Sequence, residues 1–285
     1  MSQQEKGINH VTVSDNQLNG LRGRRLLITY AIIVAIGALG VLSKQQFGMF
    51  LFKVMGKQNT GPQTWVQWLM SDWVLVGVAA LACVVHRYSG LPGAPRIEWL
   101  LSKETRPAAK PPIWRPGLIG AAICLTIFVA SQIYQTLTGT SAPLTAKAAT
   151  FPHDVMIKLA ALYPLAFVGA ALSEEVCYRF GLLSLMMGLM SLLGFGGRRR
   201  SFNAAFWTAN ILQAAWFGFA HVQQGIVASQ AGGLLWQTAI APQTWAGIVF
   251  GVIFRRRGLE AAIIAHMGTD ILVPVVLGLW GLVHH

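Results

Sequence analysis

The sequence predicts an all-α polytopic transmembrane helix bundle of about seven or eight spans. Three observations predict it. Of the 285 residues, 54% are hydrophobic and 11% are charged, where a soluble domain carries about 25% charged residues. The mean hydropathy is +0.53. The basic residues gather between apolar runs, as in Arg22, Arg24 and Arg25, then Arg198, Arg199 and Arg200, then Arg255, Arg256 and Arg257. A net charge of +12 could mark a nucleic-acid binder, but this clustering is what the positive-inside rule produces, so the expected environment is the lipid bilayer with no nucleic-acid partner.

The elements follow in order. Residues 1–25 form a polar cytoplasmic tail with no apolar core of a cleavable signal, so the first span is expected to act as its own insertion signal. Residues 26–42 are that span. Residues 47–54 are short, apolar and flanked by Lys44, Lys53 and Lys57, which reads as an interfacial segment. Residues 66–85 form a second span, with Trp65, Trp68 and Trp73 as an aromatic belt. Residues 86–116 hold Pro92, Pro95, Pro107, Pro111, Pro112 and Pro116 and read as a cytoplasmic loop. Residues 117–137 are a third span, and 138–153 an external loop rich in Thr and Ala. Residues 155–193 are too long for one straight crossing, so a bent helix or a span with an interfacial extension is expected. Spans at 202–221, 232–254 and 259–283 complete the set.

With the basic clusters on one side, this gives about seven crossings, N-terminus inside and C-terminus outside. The domains read as the tail over 1–25, N-terminal spans with the Pro-rich loop over 26–154, and a catalytic membrane core over 155–285. The assignment contains a conflict. His221 falls near the outer end of its helix and His266 nearer the inner end of its own. If they share a site, a helix is broken, a segment is re-entrant or a span is miscounted.

Charges inside apolar spans cost at least about 2.5 kcal/mol each and mark function by default. Glu174, Glu175 and Arg179 form the first such group. On a helix Glu175 and Arg179 pair at i,i+4, whereas Glu174 points about 100° away and is left unpaired. His221 closes the stretch FGFAH, with Phe217 one turn before it. His266 and Asp270 share one helix face in AHMGTD. Together these supply a glutamate base, two imidazoles and a second carboxylate, which suit activation of water against a carbonyl or binding of a divalent metal. HExxH and G-x-S-x-G are both absent, which argues against the common zinc-protease helix and the serine-hydrolase elbow. Cys83, Cys124 and Cys177 lie scattered in apolar segments and form no disulfide or zinc pattern. Gly247 and Gly251 make a GxxxG, a candidate helix contact.

The order EEVCYR at 174–179, FGFAH at 217–221 and HMGTD at 266–270 resembles the CAAX-prenyl-protease and bacteriocin-processing family of intramembrane proteases, also called CPBP or ABI. The resemblance covers about residues 155–280. It implies an intramembrane endopeptidase of the prokaryotic inner membrane, acting on a membrane-associated peptide or protein of lipidated CAAX or bacteriocin type. It implies that Glu174 activates water with His221, that His266 and Asp270 stabilise the oxyanion, that Glu175 and Arg179 form a structural pair, and that Phe217 packs near the site. Asp270 departs from a simple donor role, since an ionised carboxylate cannot donate a hydrogen bond; it is protonated, orients His266, or binds a metal. A metalloprotease variant would hold zinc at Glu174, His221 and His266. The alternatives are a non-catalytic membrane scaffold and a small transporter using the same Glu and His residues, the latter opposed by the lack of a repeat between halves.

Overall fold

The structure, a computed structural model, describes residues 15–54, 71–102, 112–138, 166–195, 199–221 and 240–284. These residues fold into helices α1 (Asp15–Val54), α2 (Asp72–Ser89), α3 (Pro95–Leu101), α4 (Trp114–Leu137), α5 (Ala166–Phe195), α6 (Arg199–Ala220), α7 (Ala241–Arg257) and α8 (Leu259–His284), with no strand among them. Four helical stretches are long and apolar enough to cross a membrane by length and composition: Gly23–Gln46 within α1, α2, α4 and α5. Helices also occupy the three later expected positions, as α6, α7 and α8.

Local chemistry sets the helix ends. Ser71 caps α2 through its Oγ, which accepts from Val74 N at 3.4 Å, and Asp72 stands in the first turn, where a carboxylate favours the helix dipole. Gly90 closes α2 in the left-handed conformation (φ 66°), as helix ends commonly require. Pro95 opens α3, and the backbone N–H groups of Arg96 and Ile97 donate to Glu260 Oε1 at 2.8 and 2.9 Å. A glutamate at the start of α8 therefore caps a helix more than 160 residues upstream.

Two expectations are corrected. Residues 47–54 are not a separate interfacial segment but the last turns of α1. Nothing between Ser43 and Phe47 breaks a helix, and Lys and Gln there are good helix formers. The stretch 86–116 is not all loop: α2 runs to Ser89, α3 occupies Pro95–Leu101 and α4 begins at Trp114. The bend expected in 155–193 takes a specific form, a π-helical segment over Glu175–Leu183. The tail over 1–14, Trp65 and Trp68, Lys57, Pro107 and Pro111, the loop over 139–153, the start of the 155–193 stretch and the polar run 222–239 lie outside the described residues.

Small residues bring the helices into contact, as expected where lipid removes most of the hydrophobic drive and close backbone packing must hold a bundle. A Cβ at Gly40 would lie 2.6 Å from Ser173 N and 2.7 Å from Gly169 O, so α1 and α5 meet backbone to backbone. The GxxxG of α7 is a contact face against α6: Gly247 abuts Ala214, and Gly251 abuts Asn210. Polar clamps reinforce it, since Asn210 Nδ2 donates to Ile248 O at 3.1 Å and Gln213 Nε2 to Gly247 O at 3.1 Å. Phe180, Leu183, Met187, Phe206, Phe250 and Phe254 fill the common core. At one end of the bundle Gly90 touches Phe202, and Gly258 touches Pro95. The polar site lies toward the other end of α5.

Candidate active site

Glu174 is the last residue of the first α-helical stretch of α5, immediately before the π segment begins at Glu175. Such wide turns cluster at functional positions because they re-aim side chains without ending the helix. Here Ser184 Oγ donates to Arg179 O at 3.3 Å across the widened ladder. Both carboxylates and Arg179 are buried.

The Glu174 carboxylate has two distinct oxygens. Oε2 lies 4.0 Å from His221 Nε2 and 3.7 Å from His266 Nε2. His221 stands just past the end of α6 and His266 within the first turns of α8. The two imidazoles that their sequence depths set apart therefore converge on one oxygen. Each ring is fixed through its other nitrogen. His221 Nδ1–H donates to Phe217 O at 2.8 Å, and His266 Nδ1–H donates to Glu175 Oε1 at 2.8 Å. These partners set the tautomer in which Nε2 faces Glu174. Asp270 Oδ2 lies 3.6 Å from His266 Nε2.

Beneath this group, Glu175 Oε1 also contacts Arg179 Nη1 at 3.1 Å. The guanidinium lies between two aromatic faces, 4.5 Å from the Phe217 ring centre and 5.1 Å from that of Phe250. Phe250 also stacks on His266, with ring centres 4.8 Å apart. Phe217 packs edge-on against both His221 and His266. The structure thus brings together Glu174, Glu175, Arg179, Phe217, His221, His266 and Asp270, and makes Glu175 a bridge between Arg179 and His266.

One expectation about Glu174 fails: it is not unpaired. Lys44 Nζ of α1 donates to Glu174 Oε1 at 2.7 Å and lies 3.2 Å from Asp72 Oδ2 at the start of α2. Sequence reading missed Lys44 and Asp72. Lys44 reads in the sequence as a flank of the 47–54 segment, and Asp72 drew no reading. Both are charges within a few residues of an apolar run, which was the available signal. Phe250 was also missed, among many core aromatics.

A divalent metal would need ligands converging at about 2 Å from one point. Among the described residues, no group of three or more His, Cys, Asp or Glu is arranged to hold a metal ion. The cation in contact with Glu174 is instead the Lys44 ammonium.

No curated protein and no solved structure matches the chain. A family match does exist, over residues 156–272, leaving the α1–α4 region outside it. It contains every motif that meets at Glu174. Residues 156–272 match the family model of the type II CAAX prenyl endopeptidase Rce1-like proteins, in a chain with four helical stretches long and apolar enough to cross a membrane.

Proposed function

We propose that this protein is an intramembrane endopeptidase in which Glu174 activates water. The observation that carries the reading is the convergence of Glu174 Oε2 with two imidazole Nε2 atoms, each ring anchored through Nδ1. That is the arrangement general-base hydrolysis requires: a carboxylate within reach of a water, and oriented nitrogens around it. The family match supports a peptidase.

In this reading a water between Glu174 Oε2 and His221 Nε2 gives a proton to the carboxylate while its oxygen attacks the scissile carbonyl carbon. The carbonyl oxygen becomes an oxyanion. His266, when protonated, presents Nε2–H to it, with Asp270 alongside. The C–N bond then breaks, and the proton held by Glu174 passes to the leaving amine. Glu175 holds His266 in register and is itself neutralised by Arg179. The substrate is a membrane-associated peptide or protein whose cleavage site reaches bilayer depth, of lipidated CAAX or bacteriocin type, in a prokaryotic inner membrane with the N-terminus inside.

In a second reading Glu174, His221 and His266 would hold zinc, which would supply Lewis-acid activation of water. Its support is the pair of Nε2 atoms with tied Nδ1 positions, a common outer-shell pattern. Lys44 on Glu174 counts against it.

The test uses detergent-purified wild type and Glu174→Gln on membrane-associated peptides, prenylated and unprenylated. Cleavage by wild type alone, with both proteins folded, is expected. Equal behaviour of the two would overturn the protease reading. Cleavage should also survive 1,10-phenanthroline; loss that added zinc restores would favour the second reading.

A further inference from the structure

We infer that Lys44 is a positioning residue for Glu174, tethering one carboxylate oxygen so that the other faces the two imidazoles. The inference rests on the protease reading and extends it to a helix outside the matched family segment.

The geometry divides the Glu174 carboxylate cleanly. Oε1 takes the Lys44 ammonium at 2.7 Å, and Oε2 takes the histidine side at 3.7 and 4.0 Å. A carboxylate bound only on the histidine side is free to rotate about its last torsion, which is broad and two-fold. Lys44 removes that freedom. Asp72 fixes the ammonium in turn, at 3.2 Å.

Charge balance points the same way. Glu174, Glu175 and Asp270 place three carboxylates around His266. Arg179 contacts Glu175. Lys44 is the cation on Glu174. Its placement is built into the bundle by small residues: Gly37 against Val176, Gly40 against Ser173 and Gly169, and Ser43 against Gly169. These let α1 approach α5 closely enough for a side chain one turn past Gly40 to reach Glu174. A lysine merely flanking a span would need none of this contact.

The experiment measures peptide cleavage by full-length wild type, Lys44→Ala, Lys44→Arg and Glu174→Gln. Lys44→Ala is expected to lose about 100-fold in kcat, the scale of a misplaced reacting group, with little change in KM. Lys44→Arg should recover to within about 10-fold, since it restores a donor to Oε1. The Lys44 side chain is 39% exposed, so methylammonium added to Lys44→Ala should enter the vacated space and restore activity saturably. It should do nothing for Glu174→Gln. A purely structural role would show neither rescue. If Lys44→Ala folds poorly, Lys44→Gln, which fills similar volume without charge, takes its place. Full kcat in the charge-free variant, or a loss that neither arginine nor methylammonium repairs in folded protein, overturns the inference. Indifference of cleavage to Glu174→Gln would instead strike the protease reading.

Discussion

Replacing Arg179 with methionine keeps a long apolar stem but removes the positive charge beneath the site. Arg179 is fully buried, as is Glu175. Removing one partner of such a pair strands the other charge and costs about 3–5 kcal/mol. The guanidinium also lies over Phe217 and Phe250, and each such ring contact adds at least about 0.5–1 kcal/mol. The methionine stem returns part of this by filling the space. The Arg179–Glu175 contact at 3.1 Å is not aligned as a hydrogen bond, which sets the figure toward the low end. The expected net loss is about 3–4 kcal/mol, set against a typical total of about 5–15 kcal/mol. The double variant Glu175→Gln/Arg179→Met leaves no buried charge without a partner, and the amide oxygen introduced by the first change could still accept from His266 Nδ1. It should therefore regain at least about 2 kcal/mol over the single variant. Unfolding of the purified protein, followed by circular dichroism in mixed micelles, reads both. A loss under about 1 kcal/mol in Arg179→Met, or no recovery in the double variant, would refute the argument.

Two further perturbations test the packing. A Cβ at Gly218 would lie 2.1 Å from Thr244 Oγ1 and 2.7 Å from Ile240 O, whereas one at Gly77 meets nothing within 4 Å. Gly218→Ala should cost about 1–3 kcal/mol and Gly77→Ala should gain about 0.5–1 kcal/mol; the opposite ranking in thermal unfolding would contradict the α6–α7 contact. Glu260→Leu removes the acceptor of the Arg96 and Ile97 N–H groups. It should cost about 1–3 kcal/mol and speed tryptic cleavage at Arg96, while Glu260→Gln, which keeps an acceptor oxygen, should resist like wild type.

The spans and the three motifs were legible because both are written locally. A run of apolar residues declares a helix of membrane length, and charges within it declare a site. The Glu175–Arg179 pair was equally readable, being one turn apart. Contacts between distant residues were not. Lys44 and Glu174 are separated by 130 positions, and a lysine at the end of a span looks the same whether it meets lipid headgroups or a buried carboxylate. The link from Glu175 to His266 was hidden because residues 91 apart meet only through helix packing. The meeting of His221 and His266 at Glu174 was hidden in the same way, since it too is made by packing between separate helices. In the fold, the loop after α2 turns back so that Gly93 approaches His86, and Gly93 O receives Leu259 N at 2.8 Å. α8 thereby starts beside that folded-back loop, and its second turn carries His266 to Glu174.

The π segment of α5 also means that the aim of Glu174 is encoded in chain length. Gly169 and Ser173 ahead of it pack on Gly40 of α1, while Gly181 in its last turn and Gly188 beyond it pack on Ala79 and Val85 of α2. The widened turns link these two anchorages and set the angle from one to the other. Deleting a single residue within Glu175–Leu183 would leave a continuous apolar helix, yet rotate one half against the other by about 100°. With the deletion between Glu175 and Gly181, Glu174 and Glu175 could then keep their places against Lys44 and His266, or Gly181 and Gly188 theirs against α2, but not both. Such a change would leave the hydropathy profile and all three motif residue sets almost untouched while dismantling the alignment between them.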